Sequence, residues 1–326
     1  MNSPSPLCQY RMQVHHIHQE TPDVWTLSLI NHDVYPYRPG QFALVSIANS
    51  DRLRAYTLSS SPGHSQFITL TVRRVADGIG SHWLTAEVKP GDYLWLSAAQ
   101  GDFTCQSQPA DRYLFLAAGC GVTPIMSMCR WLLAERPEVD VQVIYCVRTP
   151  ADIIFANAWE SLGDRLRLTV YTEQDGEACH QPGRLHRAAL CAEVPDIAER
   201  TVMMCGPAPW MAQQQADAQA LGAEKIVLER FHTPDPVLSK AMLTITRTRP
   251  LASLDAPVGV SLLAALEAGK WPVNAACRAG VCGCCKTRII DGLYHTTSTL
   301  TLSEHEIAEG YVLACSCYPE GDMVIA

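Results

Sequence analysis

The stretch "RYLFLAAGCGVTPIMSM" (residues 112–128) decides the fold of the middle of the chain. Its first half is a continuous apolar run, which is typical of a parallel strand buried on both faces. Gly119 and Gly121 then form a short turn, and Thr123 and Pro124 open a helix. The turn lacks the third glycine of the usual dinucleotide fingerprint, but the strand, turn and helix still predict a phosphate site at the helix N-terminus.

Strand-like and helix-like segments continue to alternate beyond this stretch. In order they are "VQVIYCV", "IFANAWESL", "LRLTVYT", "TVMMCG" and "PWMAQQQADAQAL". This alternation predicts a doubly wound domain with a parallel sheet over residues 109–231. Cys205, Gly206 and Pro207 are placed at the carboxyl end of a later strand. Open α/β sheets bind ligands at that edge, so these three residues are candidates for the same site.

Short strands separated by turns occupy the first third of the chain. Segments such as "VWTLSLI", "QFALVSI" and "FITLTVRRV" are rich in β-branched residues, with "RPG", "SPG" and "KPGD" between strands. This pattern predicts an antiparallel β-barrel over residues 1–108. Its strand "RAYTLSSSP" (54–62) offers a cation for a diphosphate, a ring for stacking and two hydroxyls, unless it is an ordinary amphipathic strand. The candidates are Arg54, Tyr56, Thr57 and Ser60.

A second candidate in the barrel is the glycine-rich segment "DGIGSHWL" (77–84). Gly78, Gly80 and Ser81 are predicted to present backbone N–H groups to a phosphate where a helix begins. The alternative is a plain turn in which the serine caps the helix.

The cysteine-rich loop "CRAGVCGCCKT" (277–287) dominates the last segment, residues 242–326. Four residues separate Cys277 from Cys282, two separate Cys282 from Cys285, and Cys315 follows at a distance. This is the plant-type [2Fe–2S] spacing, and Gly280 lets backbone N–H groups approach the cluster. Gly283 does the same. Zinc is the alternative metal, Cys317 is the alternative to Cys315, and Cys284 is predicted to face away.

Composition limits the remaining possibilities. The chain has 326 residues and 48% hydrophobic content, which favours several domains, with residues 232–241 as a proline-containing linker. The net charge of −8, without a long run of either sign, argues against nucleic acid as a partner. No apolar run is long enough to predict a membrane span. Fourteen cysteines without a secretory signal predict a cytoplasmic protein with reduced thiols.

Taken together, these motifs resemble the ferredoxin–NADP⁺ reductase superfamily with a fused C-terminal ferredoxin. The resemblance implies a flavin β-barrel, a nicotinamide-nucleotide domain and a β-grasp-like [2Fe–2S] domain, with FAD, NADH and the cluster as cofactors. It places Cys205 beside the nicotinamide, Thr57 near flavin N5, and Glu229 and Phe231 along the isoalloxazine. Electrons would pass from NADH to FAD, to [2Fe–2S] and to a protein acceptor, because a flavin can exchange electrons in pairs or singly.

The resemblance is closest to a reductase that serves a hybrid-cluster protein, so it implies that protein as the acceptor. Reductase components of oxygenases share the same modules and are the alternative. A redox-sensing electron carrier is a further alternative from another class. In NADPH-using relatives, the turn that matches Glu173 carries Ser and Arg, which bind the 2′-phosphate. A carboxylate at this position instead predicts a hydrogen bond from the ribose 2′-OH and therefore the use of NADH. Arg148 can also reach a phosphate, which weakens this prediction.

Overall fold

The computed structural model describes residues 5–31, 34–50, 52–76, 78–175, 180–231, 241–276, 278, 280, 282–299 and 301–326. It contains two compact units, Met1–Arg230 and Phe231–Ala326. Most of the predicted linker, 232–240, lies outside the described residues. Among the described residues, no helix is both long enough and apolar enough to cross a membrane.

The first part of unit one is an antiparallel barrel. Its strands are β1 Tyr10–Thr21, β2 Val24–Ile30, β3 Phe42–Ser46, β4 Leu53–Thr57, β5 Ile68–Arg73 and β6 Tyr93–Leu96, in the order β4-β3-β6-β1-β2-β5. A bridge between Leu58 and Leu70 joins the two edge strands and closes the sheet. Between β5 and β6 lie the short helix α1, Ile79–His82, and a π-turn, Trp83–Glu87. Alternate residues such as Leu27 and Leu29 fill the interior, as the period-two pattern requires.

The second part of unit one is the predicted parallel sheet. Its strands are β7 Arg112–Ala118, β8 Asp140–Val147, β9 Arg167–Thr172, β10 Gln181–Pro182, β11 Thr201–Cys205 and β12 Ile226–Glu229, in the order β10-β9-β8-β7-β11-β12. Its helices are α2 Val122–Glu135, α3 Ala156–Leu162, α4 Arg187–Glu193 and α5 Ala208–Ala220. Leu190 of α4 and Met211 of α5 pack on Leu114 and Leu116 of the central strand. The sequence pattern had not indicated α4 or the two-residue β10.

Unit two is a five-stranded mixed sheet with two short helices. Its elements are β13 Met242–Thr248, β14 Leu251–Pro257, α6 Leu262–Ala268, β15 Lys286–Thr296, α7 Glu304–Ala308, β16 Tyr311–Leu313 and β17 Cys317–Ile325. The sheet order is β14-β13-β17-β15-β16, with β13 and β17 parallel and the other pairs antiparallel. Leu262 and Leu266 of α6 pack on Ile245 and Met323 of the sheet, which is the arrangement of a β-grasp fold.

Candidate functional site

The predicted flavin strand is β4. The pleat places Arg54 and Tyr56 on one face, while the Thr57 side chain is buried. Burial raises the pKa of Tyr56 to about 12, so its phenol stays uncharged at neutral pH. The Ser60 hydroxyl lies 2.8 Å from the Tyr37 hydroxyl and accepts a bond from the Thr69 N–H at 3.0 Å. Ser60 therefore holds the chain just beyond β4 in place.

The glycine-rich turn at α1 meets this strand. A Cβ on Gly80 would lie 2.9 Å from Cγ of Arg54, so a glycine is required for the arginine stem to pass. The Ser81 hydroxyl accepts from the Val75 N–H at 3.0 Å and donates to the Gly78 carbonyl at 3.0 Å. The first N–H groups of a helix lack an intrahelical acceptor. The turn therefore packs against the Arg54 side chain, which is the arrangement that the predicted diphosphate site requires.

One serine connects the flavin strand with the nucleotide helix. Ser127 of α2 donates to the Ser60 carbonyl at 2.5 Å and accepts from the Gly40 N–H at 3.3 Å. The Ser127 side chain is fully buried. The helix that opens at the Gly119–Gly121 turn is therefore fixed against the end of the Arg54–Thr57 strand.

The predicted nucleotide turn and the Cys205–Gly206–Pro207 segment lie against each other. A Cβ on Gly121 would overlap the Cys205 carbonyl, and one on Gly206 would lie 2.8 Å from the Trp210 ring. Gly119 has a φ of 53°, in the left-handed region that favours glycine. The Thr123 hydroxyl donates to the Cys120 carbonyl at 3.0 Å, and Pro124 follows in the first turn of α2. The two motifs form one surface at the carboxyl edge of the sheet.

Cys205 and Glu229 end neighbouring strands at that edge. They are register partners in the β11–β12 ladder. Burial raises the pKa of the Cys205 thiol well above its ordinary value. Burial also raises the pKa of Glu229 to about 8, so the carboxyl is mostly protonated at neutral pH. Its Oε2 is buried without a hydrogen-bond partner among the described residues, which fits a site where a ligand supplies the missing contact.

A cation that the sequence pattern had not indicated lies beside the acidic turn beyond β9. Glu173 is ion-paired with Arg184 at 3.1 Å. Arg184 follows β10, whose residues Gln181 and Pro182 pair with the end of β9. Arg148 lies at the same edge, with its guanidinium 3.8 Å from Asp152. Glu173 therefore does not act there as an isolated carboxylate.

The cysteine loop in unit two brings two predicted ligands together. The Sγ atoms of Cys285 and Cys315 are 3.4 Å apart, and the Gly280 N–H lies 3.1 Å from Cys315 Sγ. Two thiolates on one tetrahedral metal with bonds of about 2.3 Å would be about 3.8 Å apart, so the distance fits two ligands of one metal ion. Cys282 lies half-buried in the same loop, and Cys277 lies outside the described residues.

Glycines shape this loop, and the extra cysteines have other surroundings. Gly280 and Gly283 have φ values of 72° and 75°, and a Cβ on Gly280 would lie 2.6 Å from Ser298 Cβ. Cys317 is buried as the first residue of β17, where it pairs with Thr296. This position supports Cys315 over Cys317 as the fourth ligand. The Cys284 thiol lies 3.9 Å from the Cys282 carbonyl.

Three residues of the sites were missed from the sequence. Ser127 was missed because the sequence of an apolar helix does not show which distant residue a serine in it will hydrogen-bond. Trp210, whose ring covers Gly206, lies in the quoted segment after Pro207. Arg184 lies near Glu173 only because β10 pairs with β9. Phe231 begins unit two, and its place beside a flavin stays a prediction.

Comparison with known proteins assigns all three parts of the chain. Residues 12–105 match the oxidoreductase FAD-binding domain, residues 115–217 the oxidoreductase NAD-binding domain, and residues 246–320 the 2Fe-2S iron-sulfur cluster binding domain. The chain is 57% identical to the NADH oxidoreductase HCR of Escherichia coli (strain K12), covering 100% of both chains.

Two further similarities extend this result. The glycine betaine monooxygenase reductase subunit of Chromohalobacter salexigens is 30% identical, covering 94% of this chain and 92% of its own. The structure of phthalate dioxygenase reductase superimposes with a TM-score of 0.67 at 20% identity, over 97% of each chain. This structural likeness confirms the predicted three-module fold, and the matches confirm FAD, NAD and [2Fe–2S] as the cofactor set.

Proposed function

The chain belongs to the ferredoxin–NADP⁺ reductase superfamily, in the group with a C-terminal [2Fe–2S] domain, and we propose that it is the NADH oxidoreductase that reduces a hybrid-cluster protein. The observation that supports the nucleotide chemistry most directly is the contact of Gly121 with the Cys205–Gly206 peptide. It joins a phosphate-binding helix terminus to the two side chains at the ends of β11 and β12.

Bound FAD would accept two electrons from NADH and release them one at a time to the cluster. The chain's own residues hold and orient these groups. Arg54 and the Gly78–Ser81 turn are proposed to bind the FAD diphosphate, and Tyr56 to pack on the flavin. The Ser127–Ser60 bond fixes the nucleotide helix against that strand, so the two reacting rings can approach at a set position.

Cys205 and Glu229 are proposed to border the nicotinamide and the flavin. Both are uncharged at neutral pH, because burial raises the pKa of the Cys205 thiol and of the Glu229 carboxyl. A neutral carboxyl can donate one hydrogen bond and accept others, whereas a carboxylate only accepts. Thr57, whose side chain is buried at the end of β4, is proposed to lie near flavin N5. No protein nucleophile is needed.

The cluster ligands are proposed to be Cys277, Cys282, Cys285 and Cys315. A sharp test compares Cys315→Ser with Cys317→Ser in the purified holoprotein. Cys315→Ser should lose the cluster while NADH still bleaches the flavin, whereas Cys317→Ser should retain about two irons per chain. Iron loss in Cys317→Ser with retention in Cys315→Ser would overturn the assignment.

The acceptor is tested by anaerobic turnover. NADH and this protein should reduce a purified hybrid-cluster protein rapidly, and an oxygenase component slowly or not at all. Faster reduction of the oxygenase would favour the alternative that the chain is an oxygenase reductase, a function carried by the relative at 30% identity. Slow turnover even with ferricyanide, an artificial acceptor, would favour a redox sensor. A cytoplasmic location, supported by 14 cysteines, is tested by cell fractionation.

A further inference from the structure

A cavity of about 580 Å³ lies over the first half of β9. Its walls are formed by Gln142 of β8, by residues 166–169 together with Asp164, and by Glu193, the last residue of α4. The nucleotide surface lies instead at the carboxyl ends of the strands, beside Cys205. The cavity is therefore separate from the nucleotide surface, and a molecule bound in it would not overlap NADH.

Glu193 contributes a half-buried carboxylate to this cavity. Its Oε2 accepts a hydrogen bond from the Thr169 hydroxyl at 3.2 Å, and its Oε1 accepts one from the Tyr171 hydroxyl at 3.5 Å. Burial and the Glu193 charge raise the pKa of Tyr171 to about 12, so the phenol remains a donor at neutral pH. In the part of the chain that the structure describes, no Lys, Arg or His forms an ion pair with Glu193. Hydroxyl groups alone therefore contact this negative charge.

Gln142 contributes a second acceptor, and its side chain is buried, at 3% exposure. Its Nε2 donates to the Glu193 carbonyl at 2.9 Å. This bond fixes the orientation of the amide, because a flipped amide would bring two carbonyl oxygens together. The Gln142 Oε1 is buried and has no hydrogen-bond partner among the described residues. Buried polar atoms are normally paired, so this oxygen fits a donor supplied by a molecule in the cavity that Gln142 lines.

Both groups accept hydrogen bonds and one of them is anionic, so a matching ligand is a cation that donates. The described residues include no group of three or more His, Cys, Asp or Glu that could hold a metal ion, which argues against a bound metal. A primary ammonium group is compact and has three N–H donors, whereas a guanidinium is a wider planar fork. We propose that the cavity binds the primary ammonium group of a small aliphatic molecule, with the Glu193 carboxylate and the Gln142 Oε1 as its acceptors.

The remainder of such a ligand would meet one of two charged residues in the cavity wall. Arg167 is 58% exposed, although it also pairs with Asp140 at 3.2 Å, and its guanidinium can attract the carboxylate of a small amino acid. Asp164 is exposed and can attract the second ammonium of a diamine. Both kinds of molecule would present the same ammonium group to Glu193 and Gln142, so both are used as probes.

The test is calorimetric titration of the holoprotein with glycine and with putrescine, a diamine, at about 0.15 M salt. At least one of them should bind. Tetramethylammonium, which has the same charge but no N–H donor, should bind at least about tenfold more weakly than that probe. Weaker glycine binding in Arg167→Gln would identify an amino acid site, and weaker putrescine binding in Asp164→Asn would identify a diamine site.

Two variants test the proposed acceptors directly. Glu193→Gln keeps the hydroxyl contacts but removes the charge, and Gln142→Leu removes the buried oxygen. Each should weaken binding by at least about tenfold, because a hydrogen bond to a charged group is lost. Glu224→Gln is the matched control, since it removes an exposed carboxylate just before β12, at the opposite side of the sheet, and should leave binding unchanged.

Oxidation of NADH by ferricyanide should be unchanged in all these variants, which shows that they fold. The proposal would be overturned if neither probe bound, if binding survived in Glu193→Gln, or if tetramethylammonium bound as tightly as the probes. Because the readout is binding of an amine, these outcomes are independent of the proposed NADH oxidoreductase activity.

Discussion

The two edges of the parallel sheet in unit one differ in how their buried polar groups are hydrogen-bonded. At the amino edge, Arg200 has a fully buried side chain that bonds Asp140 at 2.5 Å, Asp196 at 2.9 Å and the Tyr113 carbonyl at 3.1 Å. At the carboxyl edge, Glu229 ends its strand with a buried Oε2 that has no partner among the described residues.

This difference distinguishes a structural amino edge from a carboxyl edge that is suited to bind a ligand. Buried polar groups are normally paired, so an edge whose charges satisfy one another has no need of a ligand. The Arg200 hydrogen bond lowers the pKa of Asp196, and Arg200 also holds the pKa of Asp140 low against the effect of burial. At the other edge, the glycines at 121 and 206 bring backbone close together, and burial keeps Glu229 and Cys205 uncharged.

The largest expected effect is on stability and comes from removing Arg200 at the amino edge. Arg200→Met should lower the free energy of unfolding by about 3–5 kcal/mol, because two carboxylates lose their buried partner. The loss should shrink as pH falls, since Asp196 has a lowered pKa and its contribution disappears once it is protonated. Urea unfolding measures this, and kcat/KM for NADH should stay unchanged in the folded protein.

Arg112→Met is the control at this edge. Arg112 pairs with Asp196 and Glu199, but its side chain is 46% exposed, so its removal should cost less than about 1 kcal/mol. If both variants lost the same free energy of unfolding, burial would not explain the contribution of Arg200. If Arg200→Met instead lost activity at unchanged stability, the amino edge would not be the scaffold.

The next largest effect is expected on kcat/KM for NADH and comes from a substitution at the carboxyl edge. Gly121→Ala should reduce kcat/KM for NADH about 100-fold, or about 2.7 kcal/mol, because its Cβ would overlap the Cys205 carbonyl and force the nucleotide turn away. Flavin content, read by absorbance, should persist. Gly321→Ala is the control, since its Cβ would meet nothing within 4 Å. Normal NADH kinetics in Gly121→Ala would refute the close contact.

A smaller, pH-dependent effect is expected at Glu229. Because burial raises its pKa to about 8, kcat/KM for NADH should fall as pH rises through about 8, and Glu229→Gln should flatten the profile. The folded state holds this proton more tightly than the unfolded chain, so flavin-free protein should lose stability from about pH 4.5 to 8. Glu229→Gln should reduce that slope. An unaltered pH profile in the variant would assign the titration to another group.

The smallest expected effect concerns the reactivity of cysteine thiols in the folded protein. Burial raises the pKa of Cys120 to about 11 and that of Cys205 well above its ordinary value, so both remain thiols at pH 8. Cys191 is exposed. Iodoacetamide should therefore modify Cys191 first in the folded protein, as measured by mass spectrometry, because the thiolate is the reactive form. Equal labelling of Cys205 would show that the carboxyl edge is more open than its burial indicates.

Local patterns determined much of this protein. The short β-branched strands separated by turns predicted the barrel, the buried run before Gly119 predicted the parallel sheet, and the cysteine spacing predicted the cluster loop. Each is a signal between residues close in sequence, because backbone geometry alone relates their side chains. The resemblance placed Cys205 and Glu229 in one site, which their positions at neighbouring strand ends now support. The short helix α4 was missed.

Only the tertiary structure decided which distant groups meet. The sequence shows that Glu173 is acidic, but the pairing of β10 with β9 brings Arg184 to it. It shows a serine at position 127, but the packing of α2 against the barrel makes that serine a partner of Ser60. Arg200 looks like any surface arginine until two strand ends enclose it with Asp140. Long-range pairing and burial set these contacts and the resulting pKa values, and neither is encoded in residue spacing along one segment.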